Sequence, residues 1–72
     1  MDRRRVSSSA LRSVGYDPAT QKLQIEIAVT GNIYEYSSVP QAIYSGLMSA
    51  DSLGTYYNAH IKDGPYRCVE LR

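Results

Sequence analysis

Residues that could perform acid–base or nucleophilic chemistry are few in this chain. Histidine occurs once, as His60, and cysteine occurs once, as Cys68. No nucleophile or second acid–base group can be assigned to work with His60. One histidine, one cysteine and scattered carboxylates offer no zinc-ligand spacing, and the chain has no glycine-rich phosphate loop. We therefore expect no catalytic residue, no metal site and no cofactor, and predict that the protein is not an enzyme.

Two tyrosines are candidates for binding. Tyr34 and Tyr36 alternate along a predicted strand and would share one face of the sheet. Several RNA-binding folds stack bases on such an aromatic pair. The alternative is that both rings face inward, because seven tyrosines must supply the large rings of a core that has no Phe or Trp. We favour the second interpretation and expect both rings to be mostly buried against helices.

The basic residues lie towards the two ends of the chain. The formal net charge is only +1, and residues 23–61 contain no Lys or Arg. A phosphate-binding surface would therefore require the ends to meet in space, with the last helix ending near the first strand. The candidate cationic binding residues are Arg3, Arg4, Arg5, Arg12, Lys62 and Arg67.

Three strands are predicted in the first half of the chain. The first runs from Ser9 to Tyr16 and needs a bulge near Arg12 to reconcile its apolar positions. The second has the clearest pattern, because apolar and mainly polar residues alternate over 23–30. Gly31-Asn32 is a hairpin turn signal, and the third strand follows it from Ile33 to Ser37.

Two helices are predicted after the strands. Pro40 suits a first helical turn, and Ser38 with Gln41 has the spacing of a capping box. This helix runs to about Ser49. Asp51 or Ser52 caps a second helix, which residues 63–65 (Asp-Gly-Pro) end. The remaining residues, 66–72, form either a short edge strand or an extended segment.

The sequence thus predicts an α+β fold of one domain, a three-stranded antiparallel β-meander followed by a helical hairpin packed on one face (β-β-β-α-α). Residues 1–6 are predicted to be a flexible basic arm and residues 7–72 the single domain. Seventy-two residues leave room for one thin core. The expected core residues are Leu23, Ile25, Ile27, Val29, Ile43, Leu47, Leu53 and Ile61.

The cellular compartment is predicted from what small secreted proteins usually contain. A lone cysteine allows no intramolecular disulfide, whereas secreted domains of this size usually carry several. The basic start is followed by Val6 and three serines rather than by the apolar stretch of a signal peptide. No apolar run is long enough to span a membrane. We expect a cytoplasmic protein without a membrane partner, and a monomer.

Several short motifs along the chain, taken together, resemble those of the KTSC domain, a family named for its occurrence at the C-terminus of some lysyl-tRNA synthetases. The resemblance covers roughly residues 6–70 and rests mainly on a YxY motif, a Val-Pro pair and an SxGxYYN motif. Family-motif residues interpreted as structural are Tyr34, Tyr36, Pro40, Gly54, Tyr56 and Asn58. The sequence departs from the family pattern at Thr55, where a basic residue is expected, at Leu53, where polar residues are common, and at Tyr57, where Phe is common.

The family that the sequence resembles has no established activity, although its occurrence in lysyl-tRNA synthetases suggests RNA binding. Loss of a basic residue beside Gly54 weakens any RNA surface on the second helix. We therefore expect a small non-catalytic binding module, with RNA or tRNA-related binding as the first hypothesis. The alternative is a protein–protein interaction or accessory module with no nucleic-acid role, for which an exposed aromatic or apolar patch would suffice.

Overall fold

Five antiparallel strands lie in the sheet in the order in which they occur along the chain, and two helices pack on one face. The computed structural model describes residues 1–72. The strands are β1 (Arg4–Arg5), β2 (Leu11–Asp17), β3 (Lys22–Ile27), β4 (Ile33–Tyr36) and β5 (Cys68–Glu70). The helices are α1 (Gln41–Ser49) and α2 (Leu53–Tyr57), and α2 continues as a π-helical segment, Asn58–Lys62. Neither helix has the length and apolar composition needed to cross a bilayer.

The predicted three-stranded meander forms the centre of this sheet as β2, β3 and β4. The number of strands was predicted too low, because a further strand lies at each edge. Arg4 and Arg5, expected in a flexible arm, pair with Val14 and Ser13. Residues 68–70 pair with β4, which confirms the edge strand, one of the two alternatives predicted for residues 66–72. Strands of two and three residues are too short to show alternation in a sequence.

The bulge predicted in the first strand is confirmed. The register between β2 and β3 shifts between Leu11 and Ser13, so Arg12 has no direct partner in the ladder. The Arg12 guanidinium instead donates to the Ala28 carbonyl at 2.9 Å. A bulge inserts one extra residue into a strand, so the side chains after it point to the face opposite to the one that strict alternation would give them. As a result Leu11 and Val14 both reach the core, at 1% exposure each.

The predicted core is mostly confirmed, with one error. Leu23, Ile25, Leu47 and Ile61 are buried, and Ile27, Ile43 and Leu53 pack against them while partly exposed. Val29, however, is 87% exposed. Strand β3 ends at Ile27, and the Gly31 amide donates back to the Ile27 carbonyl at 2.8 Å. Val29 therefore lies in the turn, where the alternation of the strand no longer sets its direction.

The two helix starts differ from each other. Helix α1 begins after Pro40 without a side-chain cap, and Ser38 adopts a positive φ of 59°. The predicted capping box at Ser38 and Gln41 is therefore wrong. At α2 the Ser52 hydroxyl accepts a hydrogen bond from the Thr55 amide at 3.3 Å, which confirms one of the two predicted caps.

Candidate binding surfaces

The YxY motif faces the helices. Tyr36 is 4% exposed, and its ring meets that of Tyr57 edge-on, with the centroids 6.1 Å apart. The two hydroxyl oxygens are 2.6 Å apart, and either can be the donor. Burial raises the pKa of both phenols above their ordinary value. Tyr34 lies on the same face and is partly buried, and its hydroxyl accepts from the side-chain nitrogen (Nδ2) of Asn32 at 3.3 Å. The inward-facing interpretation is confirmed fully for Tyr36 and in part for Tyr34.

The other motif residues mostly have packing roles. A Cβ atom built on Gly54 would lie 2.7 Å from that of Ala10, so α2 approaches the sheet at a distance that only glycine permits. The Tyr56 ring lies over Gly46 and 4.4 Å from the His60 ring, centroid to centroid. Pro40 precedes α1 and is exposed. Asn58 is exposed at the start of the π-helical segment.

A pocket of about 440 Å³ opens between the π-helical segment and the β3–β4 turn. We call it the tyrosine pocket, because four of its nine lining residues are tyrosines. Its lining consists of Ile27, Thr30, Asn32, Tyr34, Tyr36, Tyr57, Lys62, Tyr66 and Cys68. A second depression, of about 320 Å³, lies beside Tyr56 and His60. Its lining includes Asp51, Ser52 and His60, and no hydrogen bond joins the His60 side chain to either of the other two.

The sheet face turned away from the helices, here called the outer face, carries most of the cations. Paired residues of neighbouring strands point to the same side, so Arg5 lies on this face with Ser13 and Glu26, whereas Arg4 points to the helix side with Val14. Arg67 faces outward, because its two neighbours in the chain, Tyr66 and Cys68, both line the tyrosine pocket on the helix side. Six of the eight Lys and Arg residues lie here, namely Arg3, Arg5, Arg12, Lys22, Arg67 and Arg72.

Glu26 is the buried centre of the outer face. Its carboxylate accepts from the Ser13 hydroxyl at 2.8 Å and from the Arg72 guanidinium at 3.2 Å, and Arg12 lies 3.6 Å away. The hydrogen bond from Ser13 lowers the pKa of this carboxyl below its ordinary value, and the nearby arginines lower it further against the opposing effect of burial. The cluster joins β2, β3 and the C-terminal residue across the sheet.

A second row of polar side chains crosses the outer face. Arg3 donates to the Gln24 side-chain oxygen at 2.9 Å, and Gln24 in turn donates to Glu35 at 3.0 Å. Lys22 lies 3.8 Å from the same Glu35 carboxylate. The Arg3 side chain passes over Gly15, where a Cβ atom would lie 3.0 Å from its Cγ. The outer face is thus an ordered polar surface with cations around its rim.

The six predicted cationic residues do not form one cluster. β1 and β5 lie at opposite edges of the sheet, about 19 Å apart at ~4.8 Å per strand spacing. Arg3, Arg5, Arg12 and Arg67 share the outer face, Arg4 points to the other side and Lys62 lines the tyrosine pocket. The two end strands, β1 and β5, therefore do not bring the six residues into one joined cluster. Sequence reasoning also missed two outer-face cations, Lys22 and Arg72. The sequence did contain a signal for Lys22, because it is spaced two and four residues from Gln24 and Glu26 and so shares a strand face with them.

Comparison with known proteins agrees with the fold and the motifs. A model of the KTSC domain matches residues 7–66. A protein of Stutzerimonas stutzeri is 43% identical over 67 residues, covering 93% of each chain. A lysine–tRNA ligase of Nostoc sp. is 39% identical over 63 residues, which are 88% of this chain and 11% of the ligase. The crystal structure of a KTSC domain protein from Yersinia pestis superimposes with a TM-score of 0.90 at 35% identity, covering 99% of this chain and 97% of that one. The chain belongs to the KTSC domain family.

Proposed function

We propose that this domain is a cytoplasmic, non-catalytic module that binds RNA through phosphate contacts on the outer face. The observation that carries the proposal is the placement of six of the eight cations on that face. By contact and alternation only three carboxylates share it, Asp17, Glu26 and Glu35. Phosphate neutralisation supplies most of the affinity of such surfaces for nucleic acid.

The arrangement favours binding with little sequence preference. None of the seven tyrosines lies on the outer face, because those of the sheet point inward and the others belong to the helices and the tyrosine pocket. Base stacking, which gives single-strand binders part of their affinity, is therefore absent from this surface. Phosphate contacts fix position but carry no sequence information. We expect weak affinity that depends strongly on salt.

The occurrence of a similar segment within two Nostoc lysine–tRNA ligases supports a nucleic-acid partner. This chain spans only 11% of each ligase, so the resemblance concerns one region of those proteins. We infer that the shared region contributes RNA contacts and not the ligase reaction. A protein partner is the second candidate, favoured by the apolar residues Val69 and Leu71, each 49% exposed, at the β5 edge of the sheet, where Val69 pairs with Glu35 and so shares the outer face.

The test is a salt titration of binding to a fluorescent single-stranded RNA and to a tRNA. An excess of three positive charges on the outer face predicts a slope of about −2 in log K against log salt for the single strand. Arg5→Gln should weaken binding and flatten the slope by about 0.7, the value for one phosphate contact. Arg4→Gln is the matched control, since Arg4 lies in the same strand and points to the other side of the sheet.

Equal effects of the two substitutions would show that the outer face is not the RNA surface. An absence of binding to both RNAs at low salt would overturn the RNA proposal and leave the β5 edge as the surface to test. Point substitutions are preferable to removal of the first five residues, because removal would also delete β1 from the sheet.

A further inference from the structure

We propose that the tyrosine pocket binds a small planar aromatic molecule that carries one negatively charged group. This site is separate from the outer face, since Tyr34 and Tyr36 point to the helix side of the sheet. Its occupancy therefore does not depend on whether the outer face binds RNA. Its volume, about 440 Å³, is within the range of about 300–1,000 Å³ that is usual for small-molecule sites.

The walls of the pocket suit a flat, apolar ring. Tyr34 and Tyr36 project from β4, Tyr57 comes from the end of α2, and Tyr66 comes from the segment before β5. The hydrogen bond between Tyr36 and Tyr57 fixes two of these rings before any ligand arrives. Aromatic rings prefer stacked or edge-on contacts with other rings. Because Tyr36 and Tyr57 are only 4% and 6% exposed, most of the ring surface offered to a planar ligand comes from Tyr34 and Tyr66, which are partly exposed.

One side of the pocket is polar and positively charged. Lys62 is the only charged residue in the lining, and Thr30 and Asn32 lie in or next to the β3–β4 turn. The side-chain nitrogen (Nδ2) of Asn32 donates to the Tyr34 hydroxyl. Glu70 pairs with Tyr34 in the strand register but does not line the pocket. A carboxylate or phosphate on the ligand would thus meet an ammonium group without a carboxylate beside it in the lining.

The position of Lys62 depends on the π-helical segment. The Asp63 amide donates to the Asn58 carbonyl at 3.3 Å, five residues back, as a π-helical turn requires. The extra residue in this turn changes the direction of Lys62 by about 100° relative to an α-helical continuation of α2. Isolated π-helical turns are rare and occur frequently at functional sites. Here the turn borders the pocket and ends at its only cation.

The test is a titration of the full chain, followed by two-dimensional ¹H–¹⁵N NMR, with adenosine monophosphate and, separately, benzoate. Adenosine supplies the ring without the charge, and ribose 5-phosphate supplies the charge without the ring. We expect saturable shifts at the lining residues with at least one of the two charged aromatic probes, and at least about fivefold weaker binding of both part-ligands. A preference for adenosine monophosphate would identify a nucleotide as the ligand class, and a preference for benzoate an aromatic carboxylate.

Two substitutions separate the pocket from general electrostatic attraction. Lys62→Met removes the charge and keeps much of the side-chain length. It should lower the affinity for the preferred charged probe about fivefold to tenfold and leave the affinity for adenosine unchanged. Arg4→Met, remote from the lining, should leave both unchanged. The proposal is overturned if neither charged probe shifts the lining resonances at about 10 mM. Shifts confined to the outer face, or equal affinity of wild type and Lys62→Met for the charged probe, would overturn it as well.

Discussion

The hydroxyl groups of Tyr36 and Tyr57 lie 2.6 Å apart in the interior, where they join β4 to the end of α2. Each hydroxyl satisfies the other, so two polar groups are buried together in a core made mainly of Leu, Ile and Val. A buried hydroxyl without a partner costs free energy, whereas a matched pair does not. The two tyrosines are therefore coupled in stability.

This coupling can be measured with a double-mutant cycle. Tyr36→Phe and Tyr57→Phe should each lower the free energy of unfolding by about 1–3 kcal/mol, because each leaves one buried hydroxyl without its partner. The double variant should lose clearly less than the sum of the two single losses. Chemical denaturation of the four proteins checks this. Strictly additive losses would show that the hydroxyls act independently.

Acid stability should depend on Glu26. Its pKa in the folded protein lies below the ordinary value of 4.5, so the unfolded chain binds a proton more readily. The stabilisation by this carboxylate is therefore complete above about pH 4.5 and is lost as the pH falls through the lower folded pKa. Glu26→Gln should make the melting temperature less dependent on pH in this range.

The matched control for Glu26 is Glu70→Gln, since Glu70 is exposed and forms no ion pair. Its melting temperature should follow the wild-type pH profile between about pH 3 and pH 6. Parallel profiles for wild type and Glu26→Gln would contradict the role assigned to the Glu26 cluster.

Ile25 and Val29 belong to the same alternating pattern, but truncating their side chains to Ala should affect the stability of the domain very differently. Ile25→Ala removes a side chain with 0% exposure and should cost about 2–5 kcal/mol, a large fraction of the stability of so small a domain. Val29→Ala changes a side chain that is 87% exposed and should stay within about 0.5 kcal/mol. Thermal and urea unfolding measure both. A large loss at Val29 would mean that the residue packs against the core in solution.

The close approach of Gly54 to Ala10 predicts that a larger side chain at position 54 destabilises the fold. Gly54→Ala places a methyl group 2.7 Å from the Ala10 Cβ, so α2 or the residues just before β2 must move, at a cost of about 1–3 kcal/mol. Helix propensity alone would predict the opposite sign, because Ala favours helices over Gly. Ala10→Gly in the same chain should recover part of the loss. A Gly54→Ala variant more stable than wild type would show that propensity outweighs the contact.

The sequence by itself determined the local elements and the family. Alternation over 23–27, the turn at Gly31-Asn32 and the proline before α1 placed β3, β4 and the first helix, because these signals act between neighbouring residues. The same pattern failed at Val29, since alternation does not show where a strand ends. The lone histidine and cysteine gave the expectation of no catalytic site, which stays a prediction.

Only the tertiary structure decided which surface each charged residue occupies. Arg4 and Arg5 are neighbours in sequence, yet the pairing of β1 with β2 sends them to opposite sides of the sheet. The direction of a side chain in a short edge strand depends on its register with a partner distant in sequence, which no local pattern encodes. The tyrosine pocket arises in the same way, because residues of β4, the π-helical segment and β5 meet only when β5 closes the far edge of the sheet.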